Sequence, residues 1–230
     1  MSSVFSLEMS LQPHIRHLLF DVDGTLIDSK RDIADAQLWV LHQLGVDHYS
    51  REDLYPRIGT PLTETFLQLL PRELHGRISE AKRMYIAHYR PRALDTTTLF
   101  PGVEATLAQL HDRGVSMAVA TTKSSVTANR VLHHFGIHKY FVHVQGTDDT
   151  PPKPDPYVIL RILKEQHWDA QEALMVGDSE PDVLCARSAG VRVCAVTYGS
   201  LDRAKAETLE PDIIIDSFPK ILKLLPENEE

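Results

Sequence analysis

From residue 101 onward the chain alternates short apolar runs with amphipathic segments, and that order is met by few folds other than a parallel sheet covered by helices on both faces. Helices are predicted over 101–114, 124–135, 156–166 and up to 189, and strands over 115–120, 140–144, 173–176 and 191–196. A last strand at 213–215 and a helix at 219–225 complete the series, and the charged end, 226–230, is expected to fray. The apolar run His17-Leu18-Leu19-Phe20 reads as a further buried strand ahead of all of these.

Residues 30–92 break the alternation, carrying helical signals with no buried strand between them. Ala34, Leu38, Leu41 and Leu44 form an apolar stripe ending at Gly45, and Ser50 with Asp53 has the pattern of a capping box. Thr60-Pro61 reads as an N-cap and first helical position, and a longer helix is expected over 73–89, closed by Pro91. At 230 residues and 43% hydrophobic, the chain can build one good core and a smaller satellite. The expected fold is α/β: a doubly wound, Rossmann-like parallel sheet formed by 1–29 and 93–230, with 30–92 inserted as a small helical domain.

Ligands of such sheets gather at the carboxyl ends of the strands, and that is where the polar residues of this chain fall. Strand one delivers Asp21-Val22-Asp23-Gly24-Thr25, with two carboxylates two residues apart on an extended chain and therefore directed the same way. Gly24 lets the chain turn and expose backbone N–H groups near Gly24 and Thr25. Read alone, the pentapeptide has an inert alternative, a solvated Asp/Gly turn. The strand ending at Ala120 delivers Thr121-Thr122-Lys123 ahead of a helix start, and the strand ending at Val176 delivers Gly177-Asp178-Ser179-Glu180-Pro181-Asp182. Lys153 lies between them in a stiff loop, Pro151-Pro152-Lys153-Pro154-Asp155-Pro156.

Carboxylates converging on one edge require a cation. Two of them about 4 Å apart repel by roughly 4 kcal/mol at an effective dielectric near 20, a factor of about 10³ in ionisation. An oxygen-rich site with room for water and phosphate suits Mg2+, and Lys153 adds a fixed positive charge. Thr121, Thr122 and neighbouring amides, together with the Gly24-Thr25 turn, form the candidate phosphate cradle.

Other chemistries fit less well. A net charge of -8 argues against nucleic acid as the main partner while leaving room for a small phosphorylated ligand. No apolar stretch approaches the roughly 18 residues of a membrane span, and residues 1–13 lack a signal-peptide pattern, so the expected location is the cytoplasm. Cys185 and Cys194 are too few for a disulfide framework or zinc knuckle and read as buried reduced thiols; the 12 histidines show no zinc-hydrolase spacing.

The four segments in this order resemble the haloacid dehalogenase superfamily of phosphohydrolases: Asp21-Val22-Asp23-Gly24-Thr25, Thr121, Lys153 and the run from Gly177 to Asp182. The resemblance implies that Asp21 attacks phosphorus and forms an aspartyl-phosphate, while Asp23, protonated at the start, serves as acid to the leaving oxygen and then as base to water. It implies Mg2+ held by Asp21, the Asp23 backbone carbonyl and Asp178, with Asp182 behind them, and Thr121 and Lys153 on the transferred phosphoryl group. Asp23 stands where dehalogenases of this fold carry Tyr, and Lys30-Arg31-Asp32 occupies the stretch where sugar-phosphate mutases carry His and Trp. No counterpart of the Schiff-base lysine of phosphonoacetaldehyde hydrolases stands near Gly59.

Residues 30–92 then resemble the helical cap of one branch, and Arg57-Ile58-Gly59-Thr60-Pro61-Leu62 its specificity loop, with Arg57, Gly59 and Thr60 facing substrate. A solvated Arg57 ahead of a helix cap is the rival reading. That loop and Thr197-Tyr198-Gly199 are similar to phosphoglycolate phosphatases and to related pyrophosphatases and nucleotidases. The expected activity is Mg2+-dependent hydrolysis of a small phosphomonoester, 2-phosphoglycolate first, by a monomer or homodimer. A mutase or a silent phosphate-binding protein are the alternatives, the latter disfavoured by the presence of both Asp21 and Asp23.

Overall fold

A computed structural model describes residues 15–148 and 150–225, so the expectations for 1–13 and 226–230 lie outside the described residues. Eight strands are present among them: β1 (His17–Phe20), β2 (Ile27–Asp28), β3 (Thr98–Leu99), β4 (Ser116–Ala120), β5 (His143–Gln145), β6 (Ala173–Gly177), β7 (Arg192–Val196) and β8 (Ile213–Ile215). Six of these form one parallel sheet in the order β5-β4-β1-β6-β7-β8. After β1 the chain builds outward through β4 and β5, then returns to β1's other side for β6, which makes β1 the switch point of the sheet.

Alternation along β1 explains the two layers of helix. Leu18 and Phe20 point to one face, where Val103, Leu107 and Leu110 of α5 (Val103–Asp112) and Val131 and Leu132 of α6 (Ser125–His134) complete an apolar cluster. Leu19 points to the other, against Val158, Ile159 and Ile162 of α7 (Tyr157–Gln166) and Val183 and Ala186 of α8 (Glu180–Ser188). A ninth helix, α9 (Arg203–Thr208), packs beside β7 and β8 through Ala206. Both cysteines are buried and free. Among the described residues no helix is long and apolar enough to cross a membrane.

Between β2 and β3 stand α1 (Lys30–Gln43), α2 (Arg51–Leu54), α3 (Leu62–Leu69) and α4 (Ile78–Arg92). They bury a cluster of their own, including Ala34, Val40, Leu41, Phe66, Leu69 and Tyr85, distinct from those on the sheet faces. The Ser50–Asp53 capping box is present, with Ser50 N and Oγ 2.8 and 2.7 Å from Asp53 Oδ2. Several boundaries depart from the sequence reading. Thr60 is not a cap: its amide closes a turn onto Arg57 O at 3.1 Å, and Pro61 occupies the N-cap of α3. The helix expected over 73–89 is a 3-10 segment, Arg72–Arg77, followed by α4, which carries Pro91 inside its last turn and runs on to Arg92. The strand expected at 140–144 is the shorter β5, because Tyr140 belongs to a single 3-10 turn, His138–Tyr140, and the final helix is the 3-10 segment Phe218–Leu224.

The two crossings between sheet and helical segment are locked together. β2 and β3 pair antiparallel, and Asp32, 6% exposed in the first turn of α1, accepts from Thr96 N and Oγ1 and from Thr97 N and Oγ1 at 2.6 to 3.1 Å. Removing this carboxylate strands two backbone donors and two hydroxyls. Asp32→Ala is expected to cost about 3 kcal/mol, or roughly 6–12 °C in Tm, with Asp32→Asn losing less. An unchanged melting curve for the alanine variant would exclude the lock.

Candidate active site

Register places the polar residues level with one another. Phe20 of β1 faces Val119 of β4 and Val176 of β6, so Asp21, Thr121 and Asp178, each just past its strand, emerge within about one rung of each other. Asp21, Asp178 and Asp182 are 3%, 1% and 0% exposed, and one carboxylate oxygen from each lies within 4.8 Å of the other two. Lys153, also buried, puts Nζ 3.0 Å from Ala120 O and 2.5 Å from Asp182 Oδ1 in hydrogen bonds. It also lies 3.0 Å from Asp21 Oδ1, in ion-pair contact without hydrogen-bond alignment, so that this buried oxygen has no hydrogen-bond partner among the described residues.

Each acid has a different set of commitments. Asp182 is fully engaged: Oδ1 takes Lys153, and Oδ2 accepts from Ser179 N at 3.0 Å and Ser179 Oγ at 2.5 Å in the capping box of α8. Asp178 is steadied by Thr25 Oγ1 at 3.2 Å and Ser200 N at 2.7 Å. Burial raises the Asp178 carboxyl, and Asp182 and Asp21 push it further, to about 8, against the opposing pull of Ser200. Burial raises Asp21 to about 6, with Lys153 opposing and Asp182 and Asp23 adding. Burial works against the Lys153 ammonium, but Asp182 and Asp21 outweigh it and hold its pKa above the ordinary lysine value.

One lysine among three buried carboxylates leaves an excess of negative charge, and Asp21 Oδ1, without a hydrogen-bond donor among the described residues, lies within it. An all-oxygen donor set of this kind fits a hard divalent cation, whose charge would draw both raised carboxyls back down. Asp23 points elsewhere. Its Oδ2 pairs with Lys123 Nζ at 2.8 Å and its Oδ1 accepts from Ser29 Oγ at 2.5 Å.

The phosphate cradle expected around Gly24 and Thr25 is corrected by their contacts. Gly24 N bonds Ile27 O at 2.9 Å, Thr25 N bonds Val22 O at 3.3 Å, and the Thr25 hydroxyl serves Asp178, so both residues hold the loop and leave no free donors there. Gly24 is required for close approach: its φ is +80°, and a Cβ there would come 2.0 Å from Asp178 Oδ2. Thr121 is buried with its amide on Gln145 O and its hydroxyl accepting the Lys123 amide at 3.2 Å, which removes that amide from the cradle; Thr122 lines the open cavity beside it.

That cavity, of about 580 Å³, lies between the helical segment and the carboxyl edge of the sheet and includes Asp23, Arg57, Gly59, Thr60, Lys82 and Lys123 in its wall. Gly59, at φ +93°, brings the Arg57–Thr60 turn against Ser179, where a Cβ would meet Ser179 Cβ at 3.1 Å. The Arg57 guanidinium donates to Asp53 O, and among the described residues its buried Nε has no hydrogen-bond partner. Lys82 Nζ bonds Thr63 Oγ1 at 2.8 Å, and Arg90 also reaches the wall; among the described residues neither forms an ion pair with an acid. Sequence reasoning did not assign Ser29, Lys82, Arg90, Lys123 or Ser200. Lys123 was within reach of it, since it stands two residues beyond Thr121 at the same strand end.

The profile of the haloacid dehalogenase-like hydrolases matches residues 18–196. A phosphoglycolate phosphatase from Photobacterium profundum is 31% identical over 220 residues, covering 92% of this chain and 96% of the relative. The pyrophosphatase PpaX of Halalkalibacterium halodurans is 30% identical over 212 residues, covering 92% and 97%. A haloacid dehalogenase-like family hydrolase from Streptococcus pneumoniae superposes with a TM-score of 0.84 at 28% identity, over 91% of this chain and 97% of that one. With the profile spanning most of its length and relatives aligned nearly end to end, the chain belongs to the haloacid dehalogenase-like hydrolase family.

Proposed function

We propose that the protein is a Mg2+-dependent phosphatase acting in the cytoplasm on a small phosphomonoester with an acidic leaving group, 2-phosphoglycolate first, through an aspartyl-phosphate on Asp21. The observation that carries this reading is the division of labour between the two acids of the opening loop. Asp21 lies among buried carboxylates with its Oδ1 met by the Lys153 ion pair alone, while Asp23 lines the cavity where a leaving group would stand.

In the first half-reaction the Asp21 carboxylate forms a bond to phosphorus as the ester P–O bond breaks, and Asp23 passes its proton to the departing oxygen. In the second, Asp23 takes a proton from water, whose oxygen attacks the phosphorus, releasing phosphate and restoring Asp21. Lys153, held by Asp182 and Ala120, keeps Asp21 in place and offsets charge beside the reacting phosphoryl group, with Thr121 at the neighbouring strand end. Asp21, Asp178 and the Asp23 backbone carbonyl are the candidate holders of Mg2+, which when bound neutralises charge between nucleophile and phosphate. The helices over 30–92 act as a cap that excludes bulk water.

Arg57, Lys82 and Arg90 in the cavity wall support the acidic leaving group, since in a chain of net charge -8 they form a local cationic surface. Pyrophosphate is the second reading, favoured by the same cations and by the similarity to PpaX. The test is phosphate release from phosphoglycolate, pyrophosphate, nucleoside monophosphates and sugar phosphates, ranked by kcat/KM with Mg2+ and after chelation. Acidic substrates should lead, and chelation should abolish turnover. Arg57→Ala should lose about tenfold or more on acidic substrates and little on neutral ones. A neutral sugar phosphate at the head of the ranking, or activity surviving chelation, would refute the reading.

A further inference from the structure

Asp23 is held from two sides, and both holds lead to the ends of the helical segment. Ser29, 2.5 Å from Oδ1, immediately precedes α1; Lys123, in ion-pair contact with Oδ2 at 2.8 Å, also gives a hydrogen bond of 2.8 Å to Tyr89 Oη near the end of α4. The Lys123 side chain is 5% exposed, and its Nζ lies 4.8 Å from the Tyr89 ring centroid. Tyr89 in turn stacks on Tyr85 at 5.2 Å between centroids, and Tyr85 meets Phe66 edge-on at 6.5 Å, within the helical cluster.

The Lys123 backbone, by contrast, is fixed to the sheet edge. Its amide bonds Thr121 Oγ1, its carbonyl accepts Thr147 N at 3.2 Å, and Gly146 packs so closely that a Cβ there would come 2.4 Å from that carbonyl. A short, anchored loop thus presents one ammonium that Asp23 and the helical segment share.

We propose that Lys123 is a positioning residue that aims Asp23 at the leaving oxygen and ties that aim to the seating of α4 through Tyr89. The proposal rests on Asp23 acting as the proton donor of the phosphoryl-transfer step. There the electron pair of the breaking P–O bond stays with the leaving oxygen, which receives the Asp23 proton. When α4 is seated, Tyr89 and Asp23 together fix the ammonium, and the carboxyl group is held in one orientation between it and Ser29. Loss of the tyrosine contact frees the lysine side chain to swing, and the acid loses its aim while Asp21 keeps its place. The fold thereby couples proton donation to cap closure without any contact between Lys123 and the nucleophile.

A pair of aryl phosphates tests this independently of the physiological substrate. Phenolate needs a proton as it leaves and dinitrophenolate does not, and kcat/KM reports only the steps through release of the alcohol. Lys123→Met should lose about tenfold more kcat/KM on phenyl phosphate than on 2,4-dinitrophenyl phosphate, a fraction of the roughly 10²–10⁴-fold available from acid catalysis. Lys123→Arg should recover part of the difference. Tyr89→Phe, which removes only a hydroxyl and keeps the ring packing, should show the same asymmetry at about threefold, and it carries the test if Lys123→Met fails to melt cooperatively.

Asp23→Asn separates this proposal from the one beneath it. Unequal losses in Asp23→Asn with equal losses in Lys123→Met and Tyr89→Phe overturn the positioning role alone. Equal losses in Asp23→Asn overturn the acid role of Asp23 and the positioning proposal with it.

Discussion

Asp21→Asn should fold normally and lose about 10⁴-fold or more in phosphate release, because the substitution keeps the shape of the side chain and removes the attacking oxygen. Acid-quenched wild-type enzyme should carry one added phosphoryl group on the peptide containing Asp21, and the variant should carry none. A variant retaining more than about one hundredth of wild-type turnover would exclude Asp21 as the nucleophile. This result separates an enzyme from a phosphate-binding protein. The buried site of Asp21, 3% exposed and beside Lys153, is as compatible with holding an ion as with attacking phosphorus, and only the covalent adduct distinguishes them.

Lys153→Met should have the largest effect on stability. Lys153 is 1% exposed and stands between Asp21 and Asp182, with a second hydrogen-bond acceptor at Ala120 O beside Asp182. Methionine fills a similar volume but leaves the carboxylates of Asp21, Asp178 and Asp182 without a protein cation and strands Asp182 Oδ1. Breaking a buried ion pair by removing one member costs about 3–5 kcal/mol, which lowers Tm by roughly 6–20 °C in a chain of this size, and turnover should be lost with it. Lys153→Arg should not restore either property, since a planar guanidinium does not fit the place of a compact ammonium already enclosed on all sides. Denaturant unfolding would check the first point; a cost below about 1 kcal/mol would mean that the three carboxylates do not depend on this lysine.

Much of the site was legible in the sequence because a parallel sheet turns linear order into spatial order. Asp21, Thr121 and Asp178 each follow an apolar run, and once those runs pair in register their ends must meet. The buried thiols and the Ser50–Asp53 cap were also legible, since each depends on residues close in the chain or on composition. What could not be read was the choice of partner. Gly24 and Thr25 carry the right groups for phosphate, but the loop uses their amides internally, and a carboxylate 153 residues away takes the Thr25 hydroxyl.

Asp32 makes the same point. As a letter in Lys30-Arg31-Asp32 it marked only the absence of another family pattern; in the fold it joins the two crossings through Thr96 and Thr97. Lys123 is similar, an unassigned cation until Asp23 and Tyr89 are seen on either side of it.

The sequence by itself determined the kind of fold, the succession of the main-sheet strands along the chain and the residue types at their carboxyl ends, because burial periodicity and backbone chemistry are local properties of the chain. The tertiary structure alone decided how those groups divide their contacts: which carboxylate is spent on Lys153 and Ser179, which meets Lys153 in an ion pair alone, and which turns to Lys123 and Ser29. A carboxylate's chemistry depends on the charges and donors within a few ångströms of it, and those neighbours come from segments that only packing brings together.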